Sequence, residues 1–190
     1  TPMSLLLAGL ILWFVVHSFP AVAPAKRAAL VAKLGEQPYR GLFSLGIIAA
    51  LIMIVFGWKT AVPGAVYVPP MGPGILPSVL VLAGLVLFVA SQVNGNIKRI
   101  TRHPQMLGTL AWATAHLLTN GDSRSLALFG GMAFWALFEI VMINRREGPR
   151  EGNGAASGKF DALAVVIGGI VFAVVAHFHL RLFGVPPIPV

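Results

Sequence analysis

Long apolar stretches recur along the whole chain, separated by short segments rich in proline, glycine and charged residues. A helix that crosses the hydrocarbon core of a bilayer needs about 20 mostly apolar residues, and most of the stretches approach that length. The pattern predicts six transmembrane helices, at about residues 3–19, 39–60, 76–93, 104–119, 124–144 and 160–184. A mixed basic and apolar stretch at about residues 25–38 is predicted to lie in the plane of the membrane interface.

The composition supports this pattern. The chain has 190 residues, of which 57% are hydrophobic and 11% charged, and its mean hydropathy is +0.84. A soluble domain carries about 25% charged residues, so little of the chain is available to form one. We predict an all-α fold, a polytopic membrane helix bundle of about six transmembrane helices. It forms a single integral membrane domain over residues 1–190, with the lipid bilayer as a partner.

The basic residues are unevenly distributed among the loops. The net charge of +8 would suggest nucleic acid binding in a soluble protein. Here, however, most of the 14 lysines and arginines follow the first, third and fifth predicted helices, namely Lys26, Arg27, Lys33, Arg40, Lys98, Arg99, Arg102, Arg145, Arg146, Arg150 and Lys159. The positive-inside rule predicts that these loops face the cytoplasm and that both termini lie outside. The membrane topology therefore explains the excess of positive charge, and we expect no nucleic acid partner.

Few ionisable side chains fall inside the predicted helices, where burial in the bilayer makes them costly and often functional. They are His17, His116, Glu139, His177 and His179. At a rise of about 1.5 Å per residue, His17 and Glu139 fall in the cytoplasmic half of the membrane. Arg102 and His103 border them, at the start of the fourth helix. The other three histidines fall towards the outer surface, so the sequence offers two candidate sites.

Haem b is the cofactor that suits these histidines best. Two histidines on different helices commonly hold haem in a bundle, and the chain has no cysteine to act as an alternative ligand. A non-haem metal is less favoured because the chain has few carboxylates. A histidine that only hydrogen-bonds a neighbouring helix remains the simplest alternative for each position.

Several short motifs come in an order that resembles the NnrU family, which includes the plant and cyanobacterial 15-cis-zeta-carotene isomerase. They are Val16-His17-Ser18, Gly35-Glu36, Tyr39-Arg40-Gly41-Leu42-Phe43-Ser44, Arg102-His103-Pro104-Gln105, Ala115-His116-Leu117, Asn120-Gly121-Asp122 and Asn144-Arg145-Arg146. Each motif is weak alone, and the specificity lies in their combination over about residues 5–146.

The resemblance implies a multi-pass protein of the bacterial inner membrane that binds haem b. It implies His17 and His116 as the axial ligands of the iron, Arg102 and His103 beside the pocket, and Arg40 paired with a haem propionate. The bacterial branch is associated with denitrification, which makes nitric oxide a candidate ligand. The isomerase branch makes an apolar polyene the other candidate.

The estimated depths do not agree well with this ligand pair. His17 and His116 fall about 10 Å apart in depth by helical rise, although both would have to reach one iron. A tilted haem or a tilted first helix would close the gap, and otherwise His17 with His103 is the better geometric pair. We keep His17 and His116 as the expected metal ligands.

Three functions compete at this point. The first is a haem b protein that acts as a haem-dependent isomerase or as a nitric oxide-linked haem protein, with enzymatic activity left open. The second is a non-catalytic accessory or assembly subunit that binds a membrane protein partner. The third, a transporter, is less favoured because Glu139 is the only mid-helix carboxylate and no paired broken helices are visible.

Overall fold

The structure, a computed structural model, describes residues 2–149 and 156–187. Its helices are α1 (Pro2–Val22), α2 (Pro24–Leu34), α3 (Glu36–Thr60), α4 (Ile75–Ala90), α5 (Asn96–Ile100), α6 (Pro104–Thr119), α7 (Ser123–Ser125), α8 (Gly131–Glu147) and α9 (Gly158–Phe183). A π-helical turn, Leu126–Gly130, joins α7 to α8, so that Ser123–Glu147 is one continuous helix. The all-α prediction is confirmed for the described residues.

Proline and glycine set several of the helix boundaries. Pro24 and Pro104 begin α2 and α6, where the fixed φ of proline suits the first turn and its missing N–H costs nothing. Gly35 separates α2 from α3 with a φ of +88°, a conformation that other residues rarely adopt.

Pro20 does not end the first helix, contrary to expectation. It lies in the last turn of α1, which continues to Val22. The helix continues because hydrogen bonds form beyond the proline, such as the one from the Ala23 N–H to the Phe19 carbonyl at 2.9 Å.

The long helices pack as a series of neighbours in the order α3, α1, α8, α6, α4 and α9. Glycines allow two of these pairs to approach closely. A Cβ atom at Gly57 of α3 would lie 2.6 Å from Leu6 Cα of α1. A Cβ atom at Gly84 of α4 would lie 2.7 Å from the Gly108 carbonyl oxygen of α6. The backbones therefore meet at these two crossings.

Four described helices have the length and hydropathy of membrane spans. They are Met3–Val22, Glu36–Thr60, Ser123–Glu147 and Gly158–Phe183. Helix α4 is a shorter apolar helix, and α6 has the same length of 16 residues. The protein is thus a multi-pass membrane bundle, and the count of six spans stays a prediction.

The three basic connections lie together at one end of the bundle, which we call the basic end. His103 Nε2 lies 2.8 Å from Asn144 Oδ1 there, which joins the start of α6 to the end of α8. The Asp161 carboxylate of α9 accepts hydrogen bonds of 2.9 Å from the backbone N–H groups of Asn96 and Ile97, at the first turn of α5. These contacts hold the connections against the helix ends.

At the opposite end, the proline- and glycine-rich connection over residues 61–74 is fastened to the loop after α6. The Gly121 carbonyl accepts hydrogen bonds from the N–H groups of Val66 and Tyr67 at 2.8 and 3.1 Å. The Tyr67 hydroxyl reaches the carbonyl oxygens of Leu117 and Asn120 at the end of α6. The Asn120-Gly121-Asp122 turn is therefore a docking point for a long loop.

Replacing Tyr67 by phenylalanine should lower the free energy of unfolding in detergent by about 1–2 kcal/mol. The reason is that two carbonyl oxygens at the end of α6 lose their hydroxyl donor. Tyr39→Phe is the matched control, because the Tyr39 hydroxyl has no hydrogen-bond partner among the described residues. A thermal melt of both variants makes the comparison, and equal losses would contradict this role of Tyr67.

Candidate functional site

A cavity of about 500 Å³ lies near the end opposite the basic end, between α3, α4, α6 and α9. Its wall is mostly apolar and aromatic, with a few polar groups. The wall includes Trp58, Lys59, Trp112, His116, Phe129 and His179. Cavities of this size and character commonly bind small molecules.

His116 enters the cavity from the last turn of α6. Its Nδ1 lies 2.8 Å from the Trp112 carbonyl oxygen one turn earlier. With Nδ1–H donated to that carbonyl, Nε2 carries the lone pair. The imidazole stacks on the Phe129 ring, with centroids 4.3 Å apart and planes at 21°. The ring is thus held in one orientation.

Phe129 belongs to the π-helical turn between α7 and α8. Such turns occur often at functional sites, because one extra residue redirects the side chains around it. Here the turn buries Phe129 against three aromatic rings, those of Trp58, Trp112 and His116. The irregular turn therefore builds one wall of the cavity.

His179 reaches the same cavity from α9 on the other side. Its Nδ1 lies 2.7 Å from the Val185 carbonyl oxygen, so its Nε2 is also available. His177 lies two residues away on an exposed part of α9 and does not line the cavity. Two residues apart on an α-helix, the two side chains point to different faces.

Arg124 fixes the position of Trp58 at the rim. Its guanidinium carbon lies 4.5 Å from the centre of the Trp58 ring, and its Nη1 donates to the Trp58 carbonyl at 3.3 Å. The Asp122 carboxylate lies 3.7 Å from Arg124 Nε. Trp58 is thereby part of the cavity wall.

His17 lies in a separate aromatic environment between α1, α3 and α8. Its ring centroid is 4.0 Å from that of Trp13, 5.1 Å from that of Trp135 and 5.9 Å from that of Phe43. Its Nδ1 lies 3.2 Å from the Trp13 carbonyl oxygen, so Nε2 is free here as well. Neither His17 nor its three aromatic neighbours line the cavity that holds His116.

The distance between the two environments can be read along one helix. Phe129 contacts His116 and Trp135 contacts His17, and these two aromatic residues are six positions apart on Ser123–Glu147. Six residues correspond to roughly 9 Å of helical rise. His17 and His116 share no neighbouring ring and no cavity among the described residues, so the structure does not bring them together.

The remaining predicted site residues lie at the basic end. His103 pairs with Asn144 through Nε2, the atom that would otherwise be free for a metal. Arg102 lies 3.7 Å from Glu147, and Arg40 donates to Glu36 at 2.9 Å. The roles expected of Arg102, His103 and Arg40 towards haem stay predictions.

Glu139 is buried on α8, one turn beyond Trp135. Its Oε1 has no hydrogen-bond partner among the described residues. The Nε1 atoms of Trp13 and Trp135 and the Ser18 hydroxyl share this property. The region around His17 therefore contains several buried polar atoms whose hydrogen bonds are not made within the described protein.

Three features of the site were missed from the sequence. They are the choice of His179 over His177 as the α9 histidine that lines the cavity of His116, the π-helical turn, and the contact between Arg124 and Trp58. The available signal was the basic residue Arg124, which stands on the less basic side of the membrane directly after the Asn120-Gly121-Asp122 turn. The other two depend on tertiary packing.

These features define a class: a polytopic helical membrane protein with partly buried histidines packed against aromatic rings on several of its helices. The sequence model of one family, described as NnrU protein, matches residues 5–187. The chain belongs to the NnrU family, as its motif order indicated. Comparisons with curated proteins and with solved structures give no significant match.

Proposed function

We propose that this protein binds haem b in the membrane and that His116 is an axial ligand of the iron. The observation that carries the proposal is that His116 and His179 line one cavity. They come from different helices, and each directs Nδ1 to a backbone carbonyl, the arrangement that prepares Nε2 to bind a metal.

The residues of the cavity fit a flat and largely apolar cofactor. Trp112 and Phe129 offer ring faces, and Lys59 offers a positive charge that suits a propionate. A bare metal ion is less well supported, since no group of three or more metal-ligating side chains occurs within the described ranges.

The cavity and the family resemblance favour different residues as the second ligand of the iron. Geometry favours His179, which lines the same cavity as His116. The resemblance favours His17. His17 does not line that cavity, so its use as a ligand together with His116 would require α1 or α6 to move.

A bound haem would supply one-electron chemistry or, with one of its two histidines displaced, a coordination position for a small ligand. The protein's own contribution is to keep that position dry and apolar, through residues such as Val81 and Leu182. This environment suits a neutral diatomic gas such as nitric oxide, or a polyene segment that enters from the bilayer. The proposed activity is a haem-dependent isomerisation or a nitric oxide-linked function in denitrification.

The proposed location is the bacterial inner membrane. The three basic connections lie at one end of the bundle, and the positive-inside rule orients that end towards the cytoplasm. The two termini and the cavity that holds His116 then lie towards the periplasm.

The test of haem binding is the reduced-minus-oxidised absorption spectrum of detergent-purified protein from cells supplied with a haem precursor. We expect a Soret band that scales with protein, at close to one haem per chain. A protein that folds and purifies without such a band would contradict the proposal. It would favour the accessory-subunit function, for which co-purification with a larger membrane complex is the direct test.

A further inference from the structure

A second cavity, of about 720 Å³, lies at the basic end of the bundle. It is formed where the end of α1, the interfacial helix α2, the start of α3 and the end of α8 meet. Three arginines from three different helices line it, Arg27, Arg40 and Arg146, together with one carboxylate, Glu36. The formal charge of this wall is therefore +2.

The three arginines have guanidinium N–H donors that their contacts within the protein do not use. Arg40 Nε donates to Glu36 at 2.9 Å, and Arg27 Nη2 stands 3.9 Å from the same carboxylate. Arg146 contacts the neighbouring Glu147 at 2.9 Å. A guanidinium has five N–H donors, so these contacts use only part of what the three groups offer. The side chains of Arg27 and Arg146 remain about 40% exposed, at 42% and 40%.

The buried hydroxyl of Tyr39 adds a further hydrogen-bond donor to the cavity. Tyr39 lines the cavity and is 8% exposed, and Arg27 lies over its ring at 5.3 Å. The Tyr39 hydroxyl has no hydrogen-bond partner among the described residues. Guanidinium and hydroxyl donors in one cavity are the chemistry that recognises a phosphate group.

The position of the cavity indicates where the phosphate comes from. Helix α2 has no buried residue, and it carries Lys26 and Lys33 together with the exposed apolar side chains of Leu30 and Leu34. A helix of this composition lies in the plane of the interface, at the level of the lipid headgroups. An exposed apolar surface on α3, which includes Leu42, continues from the cavity towards the hydrocarbon region.

We infer that this cavity binds the phosphate of an anionic phospholipid in the cytoplasmic leaflet, with the acyl chains lying along α3. Basic pockets between helices at the cytoplasmic surface are a recurrent way of binding such headgroups. The site does not depend on haem, since its donors lie at the basic end and the cavity of His116 lies near the opposite end.

The test compares lipid retention by the purified full-length protein in detergent, measured by native mass spectrometry with phosphatidylglycerol and with phosphatidylcholine. The wild type should retain phosphatidylglycerol in preference to phosphatidylcholine. The double variant Arg27→Ala/Arg146→Ala should lose roughly tenfold or more of the affinity for phosphatidylglycerol. The matched control is Lys26→Ala/Lys33→Ala, which removes the same charge from α2 outside the cavity and should retain most of the affinity.

Three results would overturn the inference. Equal losses in the arginine and lysine variants would indicate general attraction to a negative surface. Displacement of bound phosphatidylglycerol by millimolar inorganic phosphate would assign the site to a free phosphate. Loss of haem from the arginine variant with unchanged lipid retention would assign the arginines to a haem propionate.

Discussion

Replacing Gly108 by alanine should lower the free energy of unfolding by about 1–3 kcal/mol. A Cβ atom there would lie 2.5 Å from the Gly84 carbonyl oxygen and 3.3 Å from the Phe88 backbone nitrogen. Neither neighbour is a flexible side chain, so α4 and α6 must separate to accept the methyl group. Gly84→Ala should act in the same way, because its Cβ meets the Gly108 carbonyl oxygen.

Separating α4 from α6 should also change the cavity that His116 and His179 line. His116 stands eight residues beyond Gly108 on α6, and α4 packs against both α6 and α9. A displaced α4 therefore changes the distance between His116 and His179. We expect Gly108→Ala to weaken haem retention as well as thermal stability.

Gly169→Ala is the matched control, since no neighbouring helix or side chain of the described residues lies within 4 Å of the Cβ that it would add on α9. It should leave stability unchanged or raise it by up to about 1 kcal/mol, because alanine is the better helix former. Thermal melts of the three variants in one detergent make the comparison. If Gly108→Ala melts at the same temperature as the wild type, the backbones of α4 and α6 are not in contact.

The second large effect concerns the histidines. His116→Ala should abolish the haem absorption of the purified protein, because it removes the ligand that both the cavity and the family resemblance indicate. His179→Ala should do the same if geometry identifies the second ligand, and His17→Ala if the resemblance does. Haem content per chain in each variant is the measurement.

The matched control is His177→Ala, which removes an imidazole from the same helix outside the cavity. It should retain the haem, and so should His103→Ala, whose Nε2 is engaged by Asn144. Full haem content in His116→Ala would contradict the proposed site. If His103→Ala loses its haem and His179→Ala retains it, the result would favour the alternative ligand pair of His17 and His103.

The fold was largely predictable because bilayer length and the placement of basic residues are local properties of the sequence. The predicted helix 104–119 agrees with α6, since Pro104 and the Asn120 turn mark both of its ends. The first helix was predicted too short, because a proline in the last turn does not break a helix that still forms hydrogen bonds beyond it.

The site was only partly predictable. His116 and the outer group of histidines were recognised from the cost of polar side chains in a bilayer. Which pairs face one another depends on the order of helices in the bundle, and hydrophobic periodicity does not encode that order. That His116 and His179 line one cavity follows from the packing of α4 against both α6 and α9, and this could not be predicted from either segment alone.

The π-helical turn at Leu126–Gly130 has a mechanical consequence. Regular α-helix advances about 100° per residue, and the wider turn shifts the angular phase of every residue that follows it. Phe129, which contacts His116, lies within the turn, and Trp135, which contacts His17, lies after it. Rewinding the turn to α-helix would rotate one ring relative to the other. The π-helical turn therefore sets the angle between the two side chains that contact the two distant histidines.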